Sequence, residues 1–343
     1  MKVAKRGYGA VIAPAGKAGK PIIDNEKCNG CGLCVSICPL GALEIKAKKA
    51  VPVVCMRMGK NMEASCFACR DCIAVCPEDA IKVEGSVIID KGLYRSQSPD
   101  RPLRPPEPLG EGKKFSEIQD QLTEVERVIF RRRSNRIFKK NPVPREMIER
   151  ILEAGRYGPS AGNNQPLRYI VISDKALIEE IENACLGLLK MLARAYREGP
   201  FPVRAMLHLY GLWNPQDMDI RPIYAVNALM REGSRLSLFH HAPCVILVLA
   251  DRRGVSDYRL DCGIAAQNIV LAAHSLGLGT CYVGLIKKPL SINRKLKKKL
   301  GIEYPYELVT SIALGYPRVT QDKEVIREKT PITWLGPGET GTE

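Results

Sequence analysis

No apolar run in this chain approaches the ~18–20 residues that a membrane-spanning helix requires, so a helical membrane protein is not expected. Nor is there a secretory signal: residues 1–21 carry Lys2, Lys5 and Arg6, but the apolar stretch after them is short and broken by Pro14 and several glycines. Together these absences point to a soluble, cytoplasmic protein. No G-x-G-x-x-G opens a helix after a strand, so no Rossmann nicotinamide site is indicated. The four histidines, His208, His240, His241 and His274, lack metal-ligand spacing and read as structural. The formal charge is +15, yet the basic residues are not interleaved with aromatics, and no nucleic-acid-binding motif is found. Hydrophobic residues at 45% and charged residues at 26% leave ordinary material for a core, and 343 residues are enough for two folded units.

What the chain does have is cysteine, unevenly spread. Nine of its thirteen cysteines fall between Cys28 and Cys76. Tight, regular spacing without an export signal favours metal ligation over disulfides, because the cytosol keeps thiols reduced. Cys185, Cys244, Cys262 and Cys281 lie singly in apolar surroundings and read as core thiols.

Cys28, Cys31, Cys34 and Cys38-Pro39 form C-x2-C-x2-C-x3-C-P, and Cys66, Cys69, Cys72 and Cys76-Pro77 repeat it 38 residues later. Three cysteines at steps of three ring one loop and suit three irons of a cubane, while the proline turns the backbone so that the fourth points elsewhere. Paired zinc sites are the alternative, but structural zinc usually takes two separated C-x2-C hooks. The segment resembles bacterial two-cluster ferredoxins, including the Asp24…Lys27-Cys28-x-Gly30-Cys31-Gly32 lead-in. The resemblance implies two [4Fe–4S] clusters, one on Cys28, Cys31, Cys34 and Cys76, the other on Cys66, Cys69, Cys72 and Cys38. The interval between Cys38 and Cys66 is longer than usual and contains Cys55, read as a buried thiol with a ligand role as the alternative.

The expected organisation is an N-terminal tail (1–21), a cysteine-rich domain (22–92), a proline-rich linker (93–115), a larger domain (116–336) and a C-terminal tail (337–343). Short strands are expected at Ile22–Ile23, Ala42–Ile45 and Ala80–Val83. In the larger domain, Ser116 with Gln119 fits a capping box for a helix running to Arg131. A second helix starts near Pro144, and Tyr169–Ile172 reads as a strand. Residues 176–240 read as helices with an irregular insertion. Cys244–Ala250 is a continuous apolar run, the mark of a buried strand. A small-residue helix follows over Asp261–Leu278, then a strand at Thr280–Ile286, a basic helix over Pro289–Leu300 and a strand at Leu308–Leu314; the basic stretch Lys287–Lys299 reads as a solvated helix face, with docking of an acidic electron carrier as the alternative. Strands and helices do not alternate steadily, so the class is α+β.

Four separated motifs in this larger domain resemble those of the nitroreductase family of FMN enzymes. The first is Arg131-Arg132-Arg133-Ser134-Asn135-Arg136-x-Phe138, whose guanidinium groups and hydroxyl suit a phosphate; a solvated helix end is the plainer alternative. The second is Gly158-Pro159-Ser160-Ala161-Gly162-Asn163-Asn164-Gln165-Pro166, with Leu167 in place of the family's tryptophan; an ordinary surface turn is its plainer reading. The third is Leu276 to Gly284, and the fourth joins Ala313 to Pro317 with Arg327-x-Lys329-x-Pro331.

The resemblance implies a homodimer with FMN at the subunit interface. Arg132, Arg133, Ser134, Arg327 and Lys329 would hold the phosphate, and Arg136 would approach the pyrimidine edge. Pro159, Ser160, Ala161, Asn163 and Gln165 would lie against the flavin from the partner, and backbone at Val283 and Gly284 would face the ring. The implied activity is transfer of electrons from the clusters to FMN and on to a small electrophile such as a nitroaromatic, quinone or activated alkene. Ferredoxin or NAD(P)H is the expected donor. A subunit whose FMN relays electrons to a partner protein is the rival reading.

Overall fold

The computed structural model describes residues 16–17, 19–53, 56–58, 62–64, 66–85, 88–89, 103–104, 115–203, 205–206, 209, 226, 228–229, 236–253, 257–319, 327–328, 330, 332–336 and 339–342. Cys55, Lys329, His208 and most of the insertion lie outside the described residues.

The cysteine-rich module is built twice over. Strand β1 (Lys20–Ile23) leads to helix α1 (Leu33–Ile37), and a hairpin, β2 (Leu43–Lys46) and β3 (Lys49–Pro52), follows. Ala47 and Lys48 at its tip both have positive φ, which matches the twist of a tight two-residue turn. Helix α2 (Asp71–Val75) and strand β4 (Ile81–Glu84) repeat the helix and strand, and β4 pairs antiparallel with β1. The chain thereby returns to its start and brings the two cysteine motifs face to face. Ile37, Leu43, Val75, Ala80 and Ile81 close the core between the two short helices.

The larger domain opens differently from expectation. Instead of one helix from Ser116, a single turn at Phe115–Ile118 and a 3-10 turn at Gln119–Gln121 precede α3 (Glu124–Arg131). The capping box is Thr123 with Glu126: the Thr123 hydroxyl accepts from the Glu126 N–H, and the Glu126 carboxylate accepts from the Thr123 N–H. Phe115, Ile118 and Leu122 bury together as a separate small cluster, so one helical period ran across two elements.

Next come α4 (Arg145–Arg156), β5 (Leu167–Ile172), α5 (Lys175–Glu198), β6 (Cys244–Asp251), α6 (Tyr258–Ser275), β7 (Gly279–Tyr282), α7 (Lys287–Ile292), α8 (Arg294–Lys299) and β8 (Tyr306–Gly315). The expected strand to Ile286 stops at Tyr282, where a 3-10 turn (Gly284–Ile286) begins. The single basic helix is two, split at Asn293, whose side chain accepts from the Leu296 N–H and caps α8.

The four strands form one antiparallel sheet in the order β5-β6-β8-β7, which is the α+β class. β6 shows why its sequence is continuously apolar. Cys244, Ile246, Val248 and Ala250 face α4 and α6, while Val245, Leu247 and Leu249 face the layer holding α5, α7 and α8. Both faces are covered, so no position alternates to solvent. Cys185, Cys244, Cys262 and Cys281 are all buried in these layers, as core thiols would be.

The proline-rich segment is not wholly without pairing: Leu103–Arg104 bridges antiparallel to Arg327–Glu328 near the C-terminus. That is an edge pairing two residues long, compatible with flanking prolines that cannot donate to a ladder.

Candidate cysteine cages and flavin site

Two hollows in the cysteine-rich module are each ringed by four cysteines. The first is lined by Cys28, Cys31, Cys34 and Cys76, and the second by Cys38, Cys66, Cys69 and Cys72. Each hollow therefore takes three cysteines from one motif and the last from the other. The turns that shape them use left-handed backbone at Gly30 and Gly32 in the first motif and at Ala68 and Arg70 in the second. At Gly30 a Cβ would meet the Lys48 carbonyl at 2.1 Å, so the β2–β3 hairpin packs onto the loop only because that position is glycine.

Backbone amides point at the sulfurs: Ala42 to Cys38 (3.3 Å), Ala50 to Cys28 (3.4 Å), Ala68 to Cys66 (3.2 Å) and Ala80 to Cys76 (3.4 Å). Such donors stabilise charged sulfur and tune iron–sulfur potentials. Elsewhere in the cages burial pushes the Cys34 thiol up to about 11, helped by Cys31 and Cys76, and the Cys69 thiol up to about 12, helped by Asp71. Cys38 and Cys72 are likewise pushed up, first by burial. Four crowded sulfurs, some of them buried, are held as thiolates most readily beside a cationic centre, so this donor set fits a multi-iron cluster. Among the described residues no three ligating side chains close on a single metal ion.

In the larger domain, residues after α3 run extended along the sheet. The Asn135 N–H donates to the Thr280 carbonyl (2.8 Å), the Lys139 N–H to Tyr316 (2.8 Å) and the Arg318 N–H to Ile137 (2.9 Å). The segment is thus held between β7 and the chain after β8. Asn135 packs on Gly279, where a Cβ would come within 2.8 Å of its side chain.

This threading sorts the arginines. Arg132 is half-buried, and its charge is disfavoured by burial and then by Arg327 close by. Two guanidinium groups drawn together, with no carboxylate ion-paired to Arg132 among the described residues, make a place for an anion such as a phosphate. Arg133 instead turns back, donating to the carbonyls of Phe130 and Arg132 at the end of α3. Ser134, the next residue, is bridged to Thr280. Arg136 leaves the group altogether and forms a buried ion pair with Asp71 of the cysteine module. That partner was not anticipated, and its one local signal was the break in the motif repeat at Asp71.

Other expected residues lie apart. Ser160 accepts from the Gln165 N–H (3.0 Å), bracing a loop in which Pro159, Ala161, Asn163 and Gln165 are exposed. Val283 is buried, and both its backbone groups are taken by Ser311: its N–H donates to the Ser311 carbonyl (2.9 Å) and its carbonyl accepts from the Ser311 hydroxyl (2.7 Å). Gly284 next to it is exposed with open space where a side chain would stand, and its carbonyl accepts from the Lys287 N–H. His240 lies against Arg136, and burial followed by Arg136 and His241 pushes it down to about 3.

The nitroreductase family profile matches residues 129–316, more than half of the chain, and the 4Fe-4S binding domain profile matches residues 21–44. A chloronitrobenzene nitroreductase of Comamonas testosteroni is 28% identical over 201 residues, covering 56% of this chain and 86% of that protein. A nitrobenzene nitroreductase of Ectopseudomonas oleovorans is 30% identical over 171 residues, covering 46% and 72%. A solved nitroreductase with bound FMN from Desulfitobacterium hafniense is 29% identical, with a TM-score of 0.48 over 63% of this chain and 100% of that one.

The chain belongs to the nitroreductase family of oxidoreductases and carries a 4Fe–4S binding domain at its N-terminus. It is a nitroreductase-type flavoprotein in which an iron–sulfur module and a flavin domain share one polypeptide. Among the described residues, no helix is long and apolar enough to cross a membrane.

Proposed function

We propose that the chain passes electrons from two [4Fe–4S] clusters, one in each cysteine cage, to FMN and on to a small electrophilic acceptor: a nitroaromatic, a quinone or an activated alkene. The observation that carries the reading is the Arg136–Asp71 contact, which sets the second cage directly against the segment bearing the flavin-family arginines. FMN, when bound, supplies the exchange between one-electron donors and a two-electron acceptor. A nitro group taking two electrons and two protons leaves as a nitroso group and water.

The residues divide this work. Cys31 is the exposed member of its cage, so the first cage is the natural entry for an external donor, ferredoxin or an artificial equivalent. Arg132, Ser134 and Arg327, with Lys329 and Arg133 as the family pattern implies, hold the phosphate. Gly284 offers the ring an unobstructed amide. The exposed loop of Pro159 to Gln165, the exposed Leu260 on α6 and the exposed Trp334 and Leu335 support a homodimer in which a second copy covers these surfaces.

The domain limits proposed are 22–92 for the iron–sulfur module and 116–336 for the flavin domain.

The test is anaerobic. Protein loaded with iron and FMN is mixed with dithionite, reduced ferredoxin or NAD(P)H, and the visible spectrum is followed before an acceptor is added. Bleaching of the cluster band followed by flavin reduction is expected. Flavin that stays oxidised beside reduced clusters would overturn the relay. Arg132→Ala should weaken FMN binding by roughly ten- to a hundredfold, as loss of a charge-assisted contact does; unchanged affinity would remove Arg132 from the phosphate site.

A further inference from the structure

The two cysteine motifs are related by a shift of 38 residues, and along the helices the shift exchanges like for like: Val35 with Ile73, Ile37 with Val75. It fails at the N-terminal end of each helix, where Gly32-Leu33 becomes Arg70-Asp71. Leu33 joins the module's own apolar core. Asp71 lines the second hollow and reaches out of the module to Arg136, 65 residues away. Their side chains are 9% and 15% exposed.

A buried pair of charges is poor value as a source of stability, because desolvation offsets much of the attraction; its best-attested use is to fix one arrangement among several apolar ones. The surroundings here fit that use. Ile137 packs into the module's core with Val319 beside it, and Leu236 lies against Gly41. Those contacts are apolar and tolerate sliding. Of the other groups against Arg136 from the flavin domain, Cys281 is pushed up by burial and His240 is pushed down by it, so both are neutral near pH 7. From the module side Cys38 and Cys69 of the second cage also face Arg136, and Asp71 is the carboxylate that pairs with it.

We propose that Asp71 and Arg136 are a positioning pair that fixes the second cage against the extended segment 132–138, and that this registration makes transfer between the modules fast. The inference rests on the relay reading above. Each transfer moves one electron from the iron side to the flavin side, two in sequence per acceptor, both drawn from the external donor; the pair itself is neither oxidised nor reduced. Tunnelling rates fall exponentially with the gap, so a small slip of one module on the other is enough to slow them.

The experiment uses the full chain loaded with iron and FMN, in anaerobic stopped flow with dithionite, alongside amide hydrogen exchange of residues 132–138. Asp71→Asn should slow the flavin-reduction phase about tenfold, in line with the sensitivity of reaction rates to misplacement of the reacting groups, while iron content and cluster bleaching stay as in the parent. Exchange in 132–138 should rise, and Asp71→Glu should recover most of the rate. Asp71→Leu, which installs the residue found in the first motif, guards against a folding defect peculiar to Asn and should behave likewise. A flavin phase as fast as the parent's in both Asn and Leu variants would overturn the inference while the relay survives. A parent protein whose flavin never reduces overturns the relay instead; exchange then decides the pair, and unchanged exchange in Asp71→Asn rejects it as a docking contact.

Discussion

The two cysteine cages share one motif and one backbone plan, yet they face different surroundings. The cage of Cys28, Cys31, Cys34 and Cys76 is edged by Asn29, Gly30, Ile45 and Glu78 and leaves Cys31 exposed. The cage of Cys38, Cys66, Cys69 and Cys72 exposes none of its cysteines and is edged by Arg70 and Asp71. Glycines in the first motif let a hairpin close onto it. In the second, Arg70 takes the left-handed position itself and ties down Ala68 and Gly85 through its guanidinium. A duplicated motif can thus keep its ligands while its remaining positions diverge, one copy toward solvent and the other toward a neighbouring domain.

The sharpest way to break this comparison is to remove one crossing ligand. Cys38→Ser should empty the flavin-side cage, cut bound iron by about half if the other cage survives, and abolish flavin reduction by dithionite-reduced clusters. Iron analysis with stopped flow checks it, and full iron in the variant would mean that Cys38 is no ligand. Next in size is charge. Asp71→Asn leaves Arg136 buried without its partner and should cost about 3 kcal/mol, whereas Asp24→Asn, in the exposed pair with Lys27 beside the solvent-side cage, should shift the midpoint far less. Denaturant midpoints compared under one buffer would show whether the two sides differ in this way.

Backbone substitutions sharpen the contrast further. Gly30→Ala drives a methyl into the Lys48 carbonyl and should lower stability by about 2 kcal/mol, while Ala68→Gly at the matching position should cost about 1 kcal/mol or less. Equal losses would mean that the hairpin does not lean on the first loop.

The smallest expected effect is a pH dependence seated at the junction. His240 has a folded pKa of about 3, below the ordinary ~6.5. The unfolded chain therefore takes up the proton first, and this contribution to stability is complete above the ordinary value and shrinks as pH falls from there toward 3. Between pH 7 and pH 5.5 the loss should be about 1 kcal/mol. His240→Asn should flatten that part of the curve; an unchanged slope would show that His240 does not report on the junction.

The grouping of the cysteines and the apolar strand β6 were readable from sequence because their requirements are local: spacing along a loop in one case, two covered faces in the other. Boundaries were less so. Phe115, Ile118 and Leu122 continued the period of Val125 and Ile129, yet the structure buries the first three and leaves the last two exposed, since an unbroken period does not say which apolar residues share a core. The arginine string was legible as a group and illegible as individuals. Arg132 meets Arg327 while Arg133 caps α3, because an extended segment sends successive side chains to opposite sides, and Arg136 crosses to another module.

By itself, then, the chain's order of residues determined where cysteines gather, which strands lie buried and that arginines cluster, all matters of neighbours within a few positions. Which cage meets the flavin domain, and through which charged pair, was decided only when residues 65 positions apart came together. A buried ion pair is specified by the geometry around it, and that geometry is a property of packed surfaces rather than of any short stretch of sequence.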